Sequence, residues 1–290
     1  MNIRKKILTR CGALLTAVLV LAPTALAAEA EIPYIPQTVP AAQLAPADQR
    51  GQEDWQLLLV NPWHTVPEGY EIKLATLSNG LQVDERIYDD LDDMLSDCRE
   101  AGLNPIVCSA YRTEATQTRL YRNKVARVRA SGVPEDRVEA EAARWVAKPG
   151  TSEHQTGICA DILNGDYAGR PTMTQDFKWT PEAQWMKENC DTFGFILRFL
   201  EDKEDVTGIK FEPWHFRYVG KEIASYIMAN GMTLEEFTEE AQEAMAEFES
   251  RGGDVEEQLA YEYSRLNAPP ESYVLDELGE DGDAEVSLVF

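Results

Sequence analysis

Histidine is scarce in this chain of 290 residues: His64, His154 and His215 are the only three. Two of them stand in dense patterns of groups that can hold a metal or move a proton. Ser152-Glu153-His154-Gln155-Thr156-Gly157-Ile158-Cys159-Ala160-Asp161 sets an imidazole and a carboxylate seven residues apart across a loop-to-strand junction. Glu212-Pro213-Trp214-His215-Phe216-Arg217-Tyr218 sets a carboxylate three residues before an imidazole. Two histidines and one carboxylate can hold zinc and leave a fourth position for water, the open arrangement of a catalytic site. Zinc lowers the pKa of such a water to about 7. A further group must take the proton and deliver it to a leaving amine. Asp161 and Glu212 are the two candidates, one as ligand and the other as base, and spacing alone does not assign them.

On a regular strand, residues 212 and 215 would point to opposite faces. Pro213 cannot donate a ladder hydrogen bond, so a bulge or bend there would bring both side chains to one site. A third pattern, Ser109-Ala110-Tyr111-Arg112-Thr113, sits at a strand end leading into a helix. Its arginine could pair with a substrate carboxylate or stabilise an oxyanion. His64, in Asn61-Pro62-Trp63-His64, lies apart from both motifs and reads as a structural or surface residue.

These groups need a scaffold. Leu57 to Val60 reads as a short strand ended by Asn61-Pro62. From Val83 to Glu100, apolar residues recur at helical spacing, with Gly102 as the stop. Pro105 to Tyr111 reads as a buried strand. Thr113 caps a second helix running to Gly132, and Pro134 opens a third that ends by Lys148-Pro149-Gly150. Ile158 to Leu163 is a strand, Pro181 to Phe193 a helix stopped by Gly194, and Phe195 to Phe199 a strand. Phe211 to Val219 is a further strand, and Lys221 to Asn230 a helix. Strands and helices mix without the alternation of a doubly wound sheet. The fold class is α+β, a small, mostly antiparallel sheet flanked by helices.

Taken together, Ser-Ala-Tyr-Arg-Thr, the His154 motif and Glu-Pro-Trp-His-Phe-Arg-Tyr resemble the zinc D-alanyl-D-alanine carboxypeptidases of the VanY type, which share the hedgehog/D,D-peptidase fold with VanX-like dipeptidases. The likeness runs in order from about Leu57 to Phe237, through Leu59-Val60-Asn61, Val83-Asp84-Glu85-Arg86 and Thr207-Gly208. The resemblance implies one zinc ion held by His154, Asp161 and His215, Glu212 as general base, and Arg112 steadying the transition state. It implies Ser152 and Gln117 as substrate contacts and Trp214 as a wall of the site. The implied substrate is the peptidoglycan stem peptide, losing its terminal D-alanine. A D,D-dipeptidase or endopeptidase on the same scaffold is the alternative. A silent wall-binding module would be expected to have lost the base or a ligand, and all are present. Cys159 departs from the family by occupying a place that is usually apolar. Strand alternation puts it on the face of Asp161. The loop Leu200-Glu201-Asp202 departs too, standing where proline and glycine are more usual.

Composition bounds the rest. With 27 Lys+Arg against 51 Asp+Glu, the formal charge is −24, and such a surface repels nucleic acid. Basic residues are concentrated in the helices from Glu114 to Lys148: Arg119, Arg122, Lys124, Arg127, Arg129, Arg137, Arg144 and Lys148. They read either as solvated faces or as a surface that guides an anionic stem towards Arg112. Arg4, Lys5, Lys6 and Arg10 precede an apolar run from Cys11 to Leu21 and then Ala25-Leu26-Ala27. That is the pattern of a cleaved export signal, with no stable membrane span expected afterwards. The expected organisation is a signal over 1–27, a flexible spacer over 28–52, the zinc domain over 53–237 and an acidic extension over 238–290, in a protein of the cell envelope or exterior. Cys98, Cys108, Cys159 and Cys190 allow three disulfide pairings, between which sequence cannot choose.

Overall fold

A computed structural model describes residues 52–250 and 252. The expected signal, the spacer before residue 52 and most of the acidic extension lie outside these residues. In chain order the elements are β1 (Leu74–Thr76), β2 (Gln82–Asp84), α1 (Tyr88–Glu100), β3 (Pro105–Ser109), α2 (Glu114–Ala130), α3 (Glu135–Ala143), β4 (Cys159–Asn164), α4 (Gly165–Ala168), α5 (Pro181–Asn189), β5 (Phe195–Leu197), α6 (Glu204–Thr207), β6 (His215–Tyr218), α7 (Lys221–Asn230) and α8 (Leu234–Ser250). β1 and β2 form a two-stranded ribbon, and the other four make one sheet in the order β3-β4-β6-β5. Every pairing is antiparallel, as the expected α+β class requires.

The sheet has two unlike faces because side chains alternate along each strand. Ala160, Ile162, Phe195, Leu197, Phe216 and Tyr218 enter the main core, where Leu91, Met94, Leu95 and Cys98 of α1 meet them. The opposite face carries the chemistry. Asp161 of β4 is paired in register with His215 of β6, and Cys159 with Arg217. A second apolar cluster joins Ile196 to Ile223, Ala224 and Ile227 of α7 and to Leu234, Phe237 and Ala241 of α8.

Helix starts follow from local chemistry. Thr113 Oγ1 accepts from the Thr116 amide at the head of α2, and Thr180 does the same for Ala183 with Pro181 in the first turn of α5. All four described cysteines are free thiols. Burial pushes Cys98 up to about 11 and Cys190 up to about 12, so both are inert packing groups.

Three expected elements differ. Leu57 to Val60 is not a strand: a 3-10 turn covers Gln52–Leu57, and the carbonyls of Gln56 and Leu58 are taken by the buried Arg217 guanidinium. Asn61 then closes a turn by accepting from the Trp63 and His64 amides. Val83 belongs to β2, and the helical stretch begins two residues later than expected: Asp84 accepts from the Arg86 amide and caps a 3-10 turn, Glu85–Ile87, that runs directly into α1. The last long strand starts at His215 instead of Phe211.

Gly194 ends the helical stretch Pro181–Phe193 in the left-handed region, with φ +84°. A Cβ there would stand 2.7 Å from the Tyr218 ring and 3.2 Å from the Gly220 carbonyl carbon. Gly194→Ala is therefore expected to destabilise the fold by about 2 kcal/mol or more, from positive-φ strain plus overpacking. Urea unfolding checks this, and a loss below about 0.5 kcal/mol would contradict it.

Candidate metal centre

β4, β6 and the 3-10 turn Glu153–Gln155 build the site. The His154 ring sits against the sheet because its Nδ1 donates to the Ala110 carbonyl, 2.7 Å away. That bond fixes the tautomer and leaves a lone pair on Nε2. His215 is held the opposite way round. Its Nε2 lies 3.1 Å from Glu153 Oε2, leaving the lone pair on Nδ1. Both free nitrogens address the same carboxylate. His154 Nε2 is 3.3 Å from Asp161 Oδ2, and His215 Nδ1 is 3.0 Å from Asp161 Oδ1. Three lone-pair donors facing one another repel unless a cation or protons lie among them.

These separations fit a metal. Donors about 2.0–2.1 Å from a tetrahedral zinc stand roughly 3.3 Å apart. His154, Asp161 and His215 are each no more than 4 % exposed, so the donors are held in place at the floor of a cleft. Without a metal, protons take its role. Burial and Arg112 act to lower the pKa of His154, yet Asp161 and Cys159 outweigh them and it rises to about 9. His215 is likewise raised well above its ordinary value against the effect of burial, by Cys159, Asp161 and Glu153. Asp161 falls well below its ordinary value despite burial, held there by the two imidazoles and Arg112.

Glu212 completes the group. Glu212-Pro213-Trp214-His215 is a tight turn in which the His215 amide donates to the Glu212 carbonyl at 3.2 Å, with proline at its second position. The turn realises the expected bend, and Glu212 Oε2 comes within 3.9 Å of His215 Nδ1. Burial pushes its carboxyl up to about 7, helped by Asp161 and opposed by His215. Arg112 lies opposite, at the end of β3, where the backbone passes a bulge between Val107 and Ser109. Its Nε donates to Ser109 Oγ and its Nη2 to Asp161 Oδ2, both at 2.8 Å.

The remaining expected residues line the same cleft, of about 220 Å³. Gln117 is fully buried and binds the Ala147 carbonyl through Nε2 at 2.7 Å, while its Oε1 is 3.4 Å from Arg112 Nη1. Ser152 and Trp214 form part of its wall. His64 stays outside, bound to Asn61. Cys159 is fully buried, with Sγ among the His154 and His215 nitrogens. Burial would raise its thiol, but the imidazoles lower it to about 7.

Sequence reasoning left Glu153 without a role, although it sits inside the His154 motif. Its Oε2 orients His215, and its Oε1 accepts from Arg198 Nε at 2.7 Å and Arg217 Nη1 at 2.8 Å. Arg198 also grips Glu235 of α8 with two bonds of 2.7 Å. Two buried cations are thereby matched by two carboxylates. The only signal in the sequence is Arg217, two residues after His215 and hence on the same strand face.

Glu153→Gln leaves the two guanidinium groups with one carboxylate between them. It is expected to cost about 3 kcal/mol of folding stability and to weaken divalent-metal affinity by about 10- to 100-fold, because His215 loses its orienting partner. Urea unfolding and a competitive zinc titration check both effects. Wild-type values in both would overturn the assignment.

Residues 80–221 match the family model described as VanY: D-alanyl-D-alanine carboxypeptidase. A D-alanyl-D-alanine carboxypeptidase of Enterococcus faecalis is 43% identical over 195 residues, spanning 67% of this chain and 70% of that protein. The chain is also similar to a crystal structure of a VanY D,D-pentapeptidase variant from the VanB-type vancomycin-resistance cassette, in complex with Zn(II). There the identity is 41% and the TM-score 0.57, over 63% of this chain and 98% of the other. VanYB in complex with D-alanine-D-alanine gives the same identity and TM-score, over 63% and 97%.

Proposed function

The chain belongs to the VanY family of D-alanyl-D-alanine carboxypeptidases, and on that premise we propose that His154, Asp161 and His215 hold one zinc ion at which the terminal D-Ala–D-Ala bond of a peptidoglycan stem is hydrolysed. The observation that carries this reading is the convergence of His154 Nε2 and His215 Nδ1 on the two oxygens of Asp161, with Glu212 beside them. When bound, zinc supplies Lewis acidity to the scissile carbonyl and makes a water acidic near neutral pH.

The chain's own groups do the rest. Glu212 is the general base: its carboxylate takes a proton from the attacking water and returns it to the departing amine. Glu212 lies close enough to Asp161 and His215 to share an ion with them, so its role as base and not ligand rests on the family resemblance; its longer distance to His215, 3.9 Å, supports that reading. Arg112, anchored by Ser109, Gln117 and Asp161, presents a fixed positive charge to the oxygen on which negative charge develops. Because its partners are already in place, no reorganisation is needed at the moment of reaction. Ser152 and Gln117 position the substrate, and Trp214 walls the site against water. Past Gln117 the cleft continues along α2 to Leu120, which favours a longer peptide over a free dipeptide.

The basic segment and apolar run before residue 22, with Ala25-Leu26-Ala27 after them, support export to where stem peptides lie. Among the described residues no helix is long and apolar enough to cross a membrane.

Glu212→Ala is expected to lower kcat for D-alanine release by about 10²- to 10⁴-fold while one zinc per chain is retained. Product analysis on a pentapeptide stem beside metal analysis of the same sample tests this. Near-normal D-alanine release would exclude Glu212 as the base.

A further inference from the structure

A chain with a formal charge of −24 has carboxylates to spare for its cations. On the elements beside the cleft most cations use them. Arg129 pairs with Glu135, Arg144 with Glu141 and Glu204, and Lys210 with Glu141. Lys124 and Arg127 do not: among the described residues neither has a carboxylate within ion-pair distance, although both line the cleft. The half-buried Lys124 ammonium lies 4.4 Å from the centroid of the Trp145 ring, which also carries Lys210 at 4.3 Å. Burial, then the positive charges of Arg127 and Lys210, act against the charged form of Lys124, and the more distant Glu212 and Glu141 offset them only in part. Two cations that line a cleft with no carboxylate at ion-pair distance leave room for an anion that arrives from outside.

Their placement is regular. Gln117, Leu120, Lys124 and Arg127 all line the cleft, and their spacing of three, four and three puts them on one face of α2. A carboxypeptidase releases a single residue, so an extended groove can serve only the part of the peptide upstream of the bond. At about 1.5 Å of rise per residue, Lys124 stands about 10 Å and Arg127 about 15 Å beyond Gln117. An extended peptide covers about 3.4 Å per residue, so Lys124 stands about three residues and Arg127 about four residues upstream, or fewer where the residue has a long side chain.

Resting on the peptidase reading, we propose that Lys124 and Arg127, with the Trp145 ring against the ammonium, form a subsite for a free carboxylate borne by a stem residue upstream of the scissile bond. Stem peptides offer that carboxylate in two places: the α-carboxylate of a γ-linked D-glutamate, or the side-chain carboxylate of a diaminopimelate. Amidation removes either one without changing the backbone.

The test measures D-alanine release from pentapeptides in which each carboxylate is free or amidated. It uses zinc-loaded wild-type protein and the Lys124→Met/Arg127→Met double variant, which keeps apolar bulk in the cleft. Wild type is expected to prefer one acidic peptide over its amidated form by about tenfold in kcat/KM, the difference lying in KM. The preference should shrink with salt and fall to about unity in the double variant. The amidation that abolishes it identifies the source. Equal turnover of acidic and amidated peptides by wild type, or a preference retained in the double variant, would overturn the subsite. No D-alanine from any peptide would remove the peptidase reading and the subsite with it.

Discussion

Two imidazole rings, each with one nitrogen committed to a fixed partner, have no choice about where the other nitrogen points. His154 is committed to the Ala110 carbonyl and His215 to Glu153, and both remaining lone pairs fall on Asp161. Such a meeting of like partial charges in a buried place is unfavourable without a cation. The rest of the site is arranged around the resulting demand for positive charge. Arg112 meets part of it through Asp161, and Glu212 stands 3.9 Å from His215 Nδ1, where the proposed role is to handle protons.

The same demand explains the polar layer beneath. A metal site is only as rigid as the groups that orient its ligands. Here the orienting carboxylate, Glu153, is itself clamped by Arg198 and Arg217. Arg217 reaches the Gln56 and Leu58 carbonyls, and Arg198 reaches Glu235 of α8. The segment before β1 and the helix after Gly231 are thus tied to the metal centre through one buried network. Packing does the same on that side: Leu57, Ile196, Ile223 and Phe237 share one apolar cluster.

Much of this was legible in the residues. The alternation of Ala160 and Ile162 with Cys159 and Asp161, and of Phe216 and Tyr218 with His215 and Arg217, announces strands with one apolar and one reactive face. Pro213 between Glu212 and His215 announced the turn that gathers them. Glu153 was illegible because its partners, Arg198 and Arg217, are 45 and 64 residues away; nothing local marks a carboxylate as buried. The apolar run Leu57 to Val60 misled for a related reason. The Leu58 carbonyl, like that of Gln56 before the run, is taken by a guanidinium from a distant strand, and the run pairs with no strand among the described residues. Val83 shares helical spacing with Ile87 and Leu91, yet it lies in β2, and the helical stretch starts only after Asp84, whose side chain caps it by accepting from the Arg86 amide. Tertiary hydrogen bonds decided each of these cases against periodicity.

The cleft that opens beside the three donors then needs only a substrate with a free carboxyl end and a carbonyl to present. X-ray absorption at the zinc edge of the purified, zinc-loaded protein tests the central claim most directly. The expected result is one ion per chain, with two imidazole nitrogens and at least one carboxylate oxygen at about 2.0–2.1 Å, and with the imidazole scattering reduced by half when His215 is replaced by alanine. Zinc found with no imidazole in its shell, or an unchanged spectrum in that variant, would contradict it.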